Sequence, residues 1–219
     1  ESFTGAMIAA YSAILCSTDT LYLESQPGPL SDQELALRLA YFLWNGPPDK
    51  RLERQTALHQ NNNLQSQAER MLNDPRSDRF THAFLDCWLD LRDIKLNAPD
   101  ASLYTDYYLD ELLTESALRE TRLFFRELID HNVPVRNLID SDFTFLNERL
   151  AQHYGLPDVS GVDLQRVTLP EDSVRGGLLT QASVLTVTSN GTTTSPVLRG
   201  VWIAERILGI EISPPPSGL

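Results

Sequence analysis

Residues 106–129, DYYLDELLTESALRETRLFFRELI, decide the fold class. The apolar positions Leu109, Leu112, Leu113, Leu123, Phe124 and Leu128 recur at intervals of three, four and their sums, the period of an α-helix with one face against a core. Acidic side chains fill the remaining face, and Asp100, Asp106, Asp110, Glu111 and Glu115 read as solvated charge. On both sides the chain is punctuated for further helices. Residues 3–15 form an apolar segment of helical texture, and Gln26-Pro27-Gly28-Pro29 breaks the chain before Ser31-Asp32-Gln33-Glu34. That quartet is a capping box, in which Ser31 and Glu34 satisfy each other's backbone donors. Leu35, Leu39, Phe42 and Leu43 continue from it as the inward face of a helix that stops at Gly46-Pro47-Pro48. Helices are expected over 49–58 and 64–72. Asp74-Pro75 then opens another through Phe80, Phe84, Trp88 and Leu91, with proline at the first helical position.

Downstream, Ser141 or Asp142 is positioned to cap a helix with Phe143, Leu146, Leu150 and Tyr154 inward, closed by Gly155 in the left-handed conformation. Residues 164–169 are the single short strand candidate in a stretch richer in Gly and Val. Residues 178–185 return to helical texture, followed by the hydroxyl-rich loop 186–194. Ser195-Pro196 caps a last helix whose inward positions are Val197, Val201, Ala204 and Leu208, and Pro214-Pro215-Pro216 is expected to be a stiff linker. The pattern predicts a mostly α protein: about nine or ten helices in a multi-helix bundle of two abutting helical subdomains, with at most one short β-hairpin. The domains expected are 1–140, a smaller helical one with the hydroxyl-rich loop over 141–212, and a proline-rich linker over 213–219.

Composition narrows the function. Thirty acidic against eighteen basic residues give a formal charge of -12 and an isoelectric point near 4.7, so a polyanion such as nucleic acid meets repulsion. The longest apolar stretch, residues 6–15, is about half of the ~20 residues a membrane span requires. Opening at Glu1 without a leader and closing on a proline run, the chain reads as a piece of something longer. Cys16 and Cys87 lack the close spacing of a metal site. They are either a long-range disulfide closing a loop of roughly 70 residues, or, slightly favoured, two buried thiols.

Four strings resemble a known family: ELALRLAYFLWNGPPD, MLNDPR, DSDFTFLNERLAQHYG and RGGLLTQASVLTVTSNGTTTSPVLRG. They are similar to exported planctomycete-type proteins that carry tandem domains of unknown function together with c-type cytochrome segments. The resemblance implies an extracytoplasmic place, periplasmic or secreted. It also implies electron transfer as the setting and a haem c held downstream, where a C-x-x-C-H motif follows the proline-rich stretch in such proteins. No cofactor or metal is assigned to residues of this chain.

Two constellations could carry chemistry. Asp142 and Glu148, with His153, are the candidate catalytic groups, since glycoside hydrolysis needs two facing carboxylates. Helix capping by the acids accounts for them more economically, as does a charged His153 at the C-terminus of its helix. Thr192, Thr194, Ser195 and Arg199 form a candidate anion cradle at a helix N-terminus, where free N–H groups, hydroxyls and a guanidinium converge. Against this stands an ordinary capped loop. The favoured expectation is therefore a non-catalytic extracytoplasmic module packing beside a haem-bearing domain of the same protein. The alternative is an enzyme or binding domain for an extracellular, possibly anionic, polysaccharide.

Overall fold

A computed structural model describes residues 2–23, 27–60, 62–156 and 158–213; the breaker residue Gln26 and the proline run from 214 lie outside them. The fold is mostly α with one two-stranded antiparallel hairpin. The chain divides into two compact units, Glu1–Phe80 and Thr81–Leu219. The boundary drawn near Ser141 from sequence texture falls inside the second unit.

In the first unit, α1 (Phe3–Leu15) and α2 (Thr18–Leu21) precede α3 (Asp32–Trp44), and α1 buries none of its residues. The capping box forms as expected: the Glu34 carboxylate accepts from Ser31 N (2.7 Å) and Ser31 Oγ from Glu34 N (3.3 Å). The inward face is shifted from the expected one, with Ala36, Ala40, Leu43 and Trp44 buried and Phe42 63% exposed against Phe80. Trp44 meets Leu52, Leu58 and Met71 in this core and donates from Nε1 to Met71 O (3.0 Å). The helix expected over 49–58 shortens to α4 (Lys50–Glu53). Ala57 takes a positive φ of 62°, and the Asp32 carboxylate captures the N–H groups of Ala57 and Leu58 at 2.6 and 2.8 Å. Those amides would otherwise continue the helical ladder. Helix α5 (Asn63–Leu72) follows.

Pro75–Ser77 is a single 3-10 turn capped by Asp74, leading into α6 (Asp78–Trp88), which crosses the division. The second unit continues with α7 (Thr105–Tyr108) and α8 (Glu111–Asp130), two helices where one was expected, because Asp110 caps the second by accepting from Leu113 N (2.8 Å). The buried stripe of α8 also differs. Leu109 and Leu112 are exposed, while Leu113, Ala117, Phe124 and Leu128 share the inward face with Ser116, Glu120 and Thr121.

The helix expected from Phe143 is corrected at its start. Phe143–Leu146 is strand β1, paired antiparallel with β2 (Gln165–Thr168) in the register Phe143 to Thr168 and Leu146 to Gln165. Aromatic and β-branched residues favour strands, and Phe143, Thr144 and Leu146 are buried in this one, with Phe145 half-buried. The following helix, α9 (Glu148–Tyr154), is capped by Asn147, whose Oδ1 accepts from Leu150 N (2.9 Å), and not by Ser141 or Asp142. Gly155 closes it with φ 73°.

After a 3-10 turn at Leu178–Thr180 come α10 (Ala182–Val187) and α11 (Pro196–Arg206). Ser195 caps α11 as expected, but Val197 (76%) and Leu208 (62%) are exposed, and Trp202 is the buried residue, with Ile203 and Ile207 packed against the core. The largest apolar side chain thus sets the rotation of the helix. Trp202 lies in a core with Leu85, Leu89, Phe124, Phe143 and Leu178; a second cluster gathers Leu113, Leu146, Leu150 and Ala151. Neither cysteine is buried as favoured: both are free and exposed, and Arg92 Nη2 donates to Cys87 Sγ (2.7 Å).

Gly177 carries a tight approach. At φ 69° a side chain there would be strained, and an added Cβ would lie 2.6 Å from the Ile139 carbonyl and Leu138 O, which are backbone atoms with little room to move. Gly177→Ala is expected to lower the unfolding free energy by about 2 kcal/mol or more, read as a lower urea midpoint at unchanged slope.

Candidate functional site

Two features of the second unit gather polar side chains. The first is an open cavity of about 830 Å³, built by the connection after α6, by α7, by the start of α8 and by the loop 188–194. Backbone chemistry ties its walls together. Asp100 N donates to Gly191 O (2.9 Å), Tyr104 OH to Thr192 O (2.8 Å), and Asn97 Nδ2 to Val187 O (3.2 Å). Gly191, at φ 80°, permits the contact, since a Cβ there would meet Ala98 O at 2.7 Å. Asn190 Oδ1 accepts from Thr192 N (3.1 Å) and Thr193 N (2.8 Å), the side-chain turn that hydroxyl- and amide-rich loops favour.

Of the expected anion cradle, Thr192, Thr194 and Arg199 line this cavity, whereas Ser195 does not: its Oγ accepts from Leu198 N (3.4 Å) at the start of α11. Arg199 Nε donates to Thr188 Oγ1 (3.1 Å), and that hydroxyl in turn donates to Val184 O (2.7 Å). Of the expected catalytic groups, only His153 lines the cavity. Its Nδ1 lies 3.1 Å from Tyr107 OH and the two rings meet edge to face at 5.2 Å. Burial, reinforced by the positive charges of Arg175 and Arg149, lowers the imidazole pKa from its ordinary value. This opposes the charged ring expected at the helix end. Asp142 and Glu148 are exposed and outside the cavity lining. Glu148 holds the Gly161 N–H (3.1 Å) in the first turn of α9.

The second feature is a buried polar cluster that no sequence motif announces. Glu120, on the inward face of α8, is fully buried; its carboxyl meets Thr144 Oγ1 and Tyr154 OH, both at 2.5 Å. Tyr154 OH also accepts from Ala182 N (2.7 Å), and Arg175 stacks 3.7 Å over the Tyr154 ring while donating to Thr180 O (2.8 Å). One turn away, Thr121 Oγ1 lies 2.7 Å from Gln181 Oε1 and 2.6 Å from Ser183 Oγ. Burial pushes the Glu120 carboxyl up to about 7 against the hydrogen bonds from Thr144 and Tyr154 and the charge of Arg175, which pull it down. The helical spacing contained the signal. Glu120 follows Ala117 by three and precedes Phe124 by four, which places it on the apolar face.

Among the described residues no group of three His, Cys, Asp or Glu side chains is placed to hold a metal, and no helix is long and apolar enough to cross a membrane. Covalent haem attachment requires a C-x-x-C-H run. Cys16 is followed by Ser17-Thr18-Asp19 and Cys87 by Trp88-Leu89-Asp90, so the residues present do not fit that group.

These features define a helical module with a composite cavity and a buried polar latch in its second unit. Residues 30–156 match the PSD4 family model, described as a protein of unknown function (DUF1592), and the chain belongs to that family. Residues 175–219 match a second model, PSCyt3, described as a protein of unknown function (DUF1588), so the two occur in tandem. The cytochrome association rests on these family names. No curated protein and no solved structure matches. Both features draw on both segments: Tyr104 and Tyr107 face Thr192 and Arg199 across the cavity, and Glu120, Thr144 and Tyr154 meet Ala182 and Arg175 in the latch.

The latch has a pH signature. Between the ordinary carboxyl value of 4.5 and about 7 the folded chain retains a proton that the unfolded chain has released. Stability therefore falls as pH rises through that window, by an amount that corresponds to about 3 kcal/mol when complete. Glu120→Gln keeps a donor for Thr144 and an acceptor for Tyr154 without a titrating proton. Urea unfolding at about pH 5 and about pH 8 should show the wild type losing stability relative to the variant as pH rises; the lowered pKa of His153 adds stability with rising pH in both proteins and cancels in that difference.

Proposed function

We propose that this chain is a non-catalytic helical module of a larger cytochrome-c-associated protein that works outside the cytoplasm, in the periplasm or secreted, and packs beside a haem-bearing segment of that protein. The observation that carries the proposal is the structural engagement of Asp110, Glu148 and Glu120. Asp110 caps α8 and pairs with Arg149, Glu148 holds a loop amide, and Glu120 accepts from Thr144 and from Tyr154, whose hydroxyl takes the Ala182 amide of the second family-matched segment. The tandem of PSD4 and PSCyt3 segments supports the cytochrome setting through the family names. Electron transfer then belongs to the haem segment, and this module supplies a fixed, acidic support.

A second function has one observation in its favour. The tyrosine- and hydroxyl-lined cavity suits a domain that binds an extracellular polysaccharide, or acts on one through His153. Asp142 and Glu148, which lie outside the cavity lining, are not the pair such an enzyme would use there.

The two are separated by spectroscopy and substitution. Made in a host that attaches haem c, the pure 219-residue chain should show no Soret band, whereas the full-length protein should. In the full-length protein, His153→Ala, at the group through which the second function would act, should leave the haem reduction potential and any measured turnover unchanged. A Soret band in the chain alone, or loss of turnover in that variant, would overturn the module.

A further inference from the structure

The cavity is lined by charges of both signs. Six ionisable side chains line it: Lys95, Asp110, Glu111, Glu115, His153 and Arg199. Asp110 is already matched, with one oxygen on Leu113 N and the other paired with Arg149. His153 is held toward its neutral form by burial and by neighbouring arginines. Two carboxylates, Glu111 and Glu115, one turn apart on α8, then face two cations, Lys95 and Arg199. None of these four has an ion pair among the described residues.

The wall is thus balanced in charge and mixed in hydrogen-bonding sense. Carboxylates only accept, while ammonium and guanidinium groups only donate. The Thr193 and Thr194 hydroxyls do both. An anion would meet Glu111 and Glu115, and a cation would meet Lys95 and Arg199. A neutral ligand rich in hydroxyls, each both donor and acceptor, meets every wall without bringing a charge of its own. Tyrosine rings complete the description. Tyr104 and Tyr108 stay 41% and 57% exposed, and Tyr107 is fixed edge-on against His153. Such rings present apolar faces with a polar rim, suited to the alternating C–H and O–H faces of a sugar ring. A volume of about 830 Å³ is within the range of small-ligand sites.

We propose that this cavity binds an uncharged stretch of a polysaccharide, with Tyr108 as a stacking platform, Glu111 and Glu115 accepting sugar hydroxyls and Arg199 donating to them. The inference rests on the polysaccharide function above and narrows its ligand to a neutral one.

Calorimetric titration of the whole chain tests it, using neutral hexasaccharides of glucose, xylose and mannose beside a sulfated carrageenan hexasaccharide. The expected result is binding of a neutral hexasaccharide that changes little between low and high salt and weakens about tenfold in Tyr108→Ala and in Glu115→Ala. Both substitutions fall at exposed positions, and unchanged urea midpoints will show that the variants are folded. Tighter, salt-sensitive binding of the sulfated probe would overturn the neutral-sugar site while leaving the polysaccharide function standing. Failure of every hexasaccharide to bind would overturn both. Neutral binding that neither substitution weakens would overturn the placement in this cavity.

Discussion

A carboxyl group removed from water needs partners, and Glu120 finds them on three other segments of the chain. Thr144 comes from β1, Tyr154 from α9, and through Tyr154 the cluster reaches Ala182 and Arg175. Each partner lies where it does because the others do. β1 must be a strand for Thr144 to face α8, and α9 must begin at Glu148 for Tyr154 to arrive in its last turn. The segment after Arg175 must pass close to the Leu138–Ser141 backbone, an approach the glycines at 176 and 177 permit. A half-satisfied network of this kind is worse than an apolar core, whereas a complete one ties the elements to a single arrangement.

That arrangement also sets the cavity. α8 contributes Glu120 to the latch from its buried face and Glu111 and Glu115 to the cavity from its first turns. α9 likewise supplies Tyr154 to one and His153 to the other. The loop 188–194 follows directly from α10, whose first amide, Ala182 N, is anchored on Tyr154. The cavity is therefore positioned by the polar core beneath it as much as by the apolar clusters.

Much of the helical framework was legible because its signals are local. Ser31 with Glu34, Asp74 with Pro75, Ser195 with Pro196 and Gly155 each act within a turn, and each sits where the pattern placed it. The short strand expected within 164–169 is present as Gln165–Thr168. Errors arose where a distant partner outcompeted a local preference. Phe143–Leu146 leaves the helical state to pair with β2, residues 54–58 lose theirs to the Asp32 carboxylate, and α11 turns so that Trp202 enters the core. Of the site, Thr192, Thr194 and Arg199 were expected to converge, but the meeting of His153 with them was not foreseeable. The tyrosines that complete the wall lie far away in sequence, Tyr104 being 88 positions from Thr192. Glu120 was hidden by its type, since a glutamate in a charged helix is ordinarily a surface residue.

The composite character of the cavity bears on inheritance. The PSD4 and PSCyt3 segments each bring an incomplete wall and one half of a buried polar contact. A recombination event that carried either segment alone into a new gene would deliver an open half-chamber and leave the Tyr154 hydroxyl without the Ala182 amide, or that amide without its acceptor. Selection on such a pair acts on the junction, and the two segments should travel through genomes as one heritable piece.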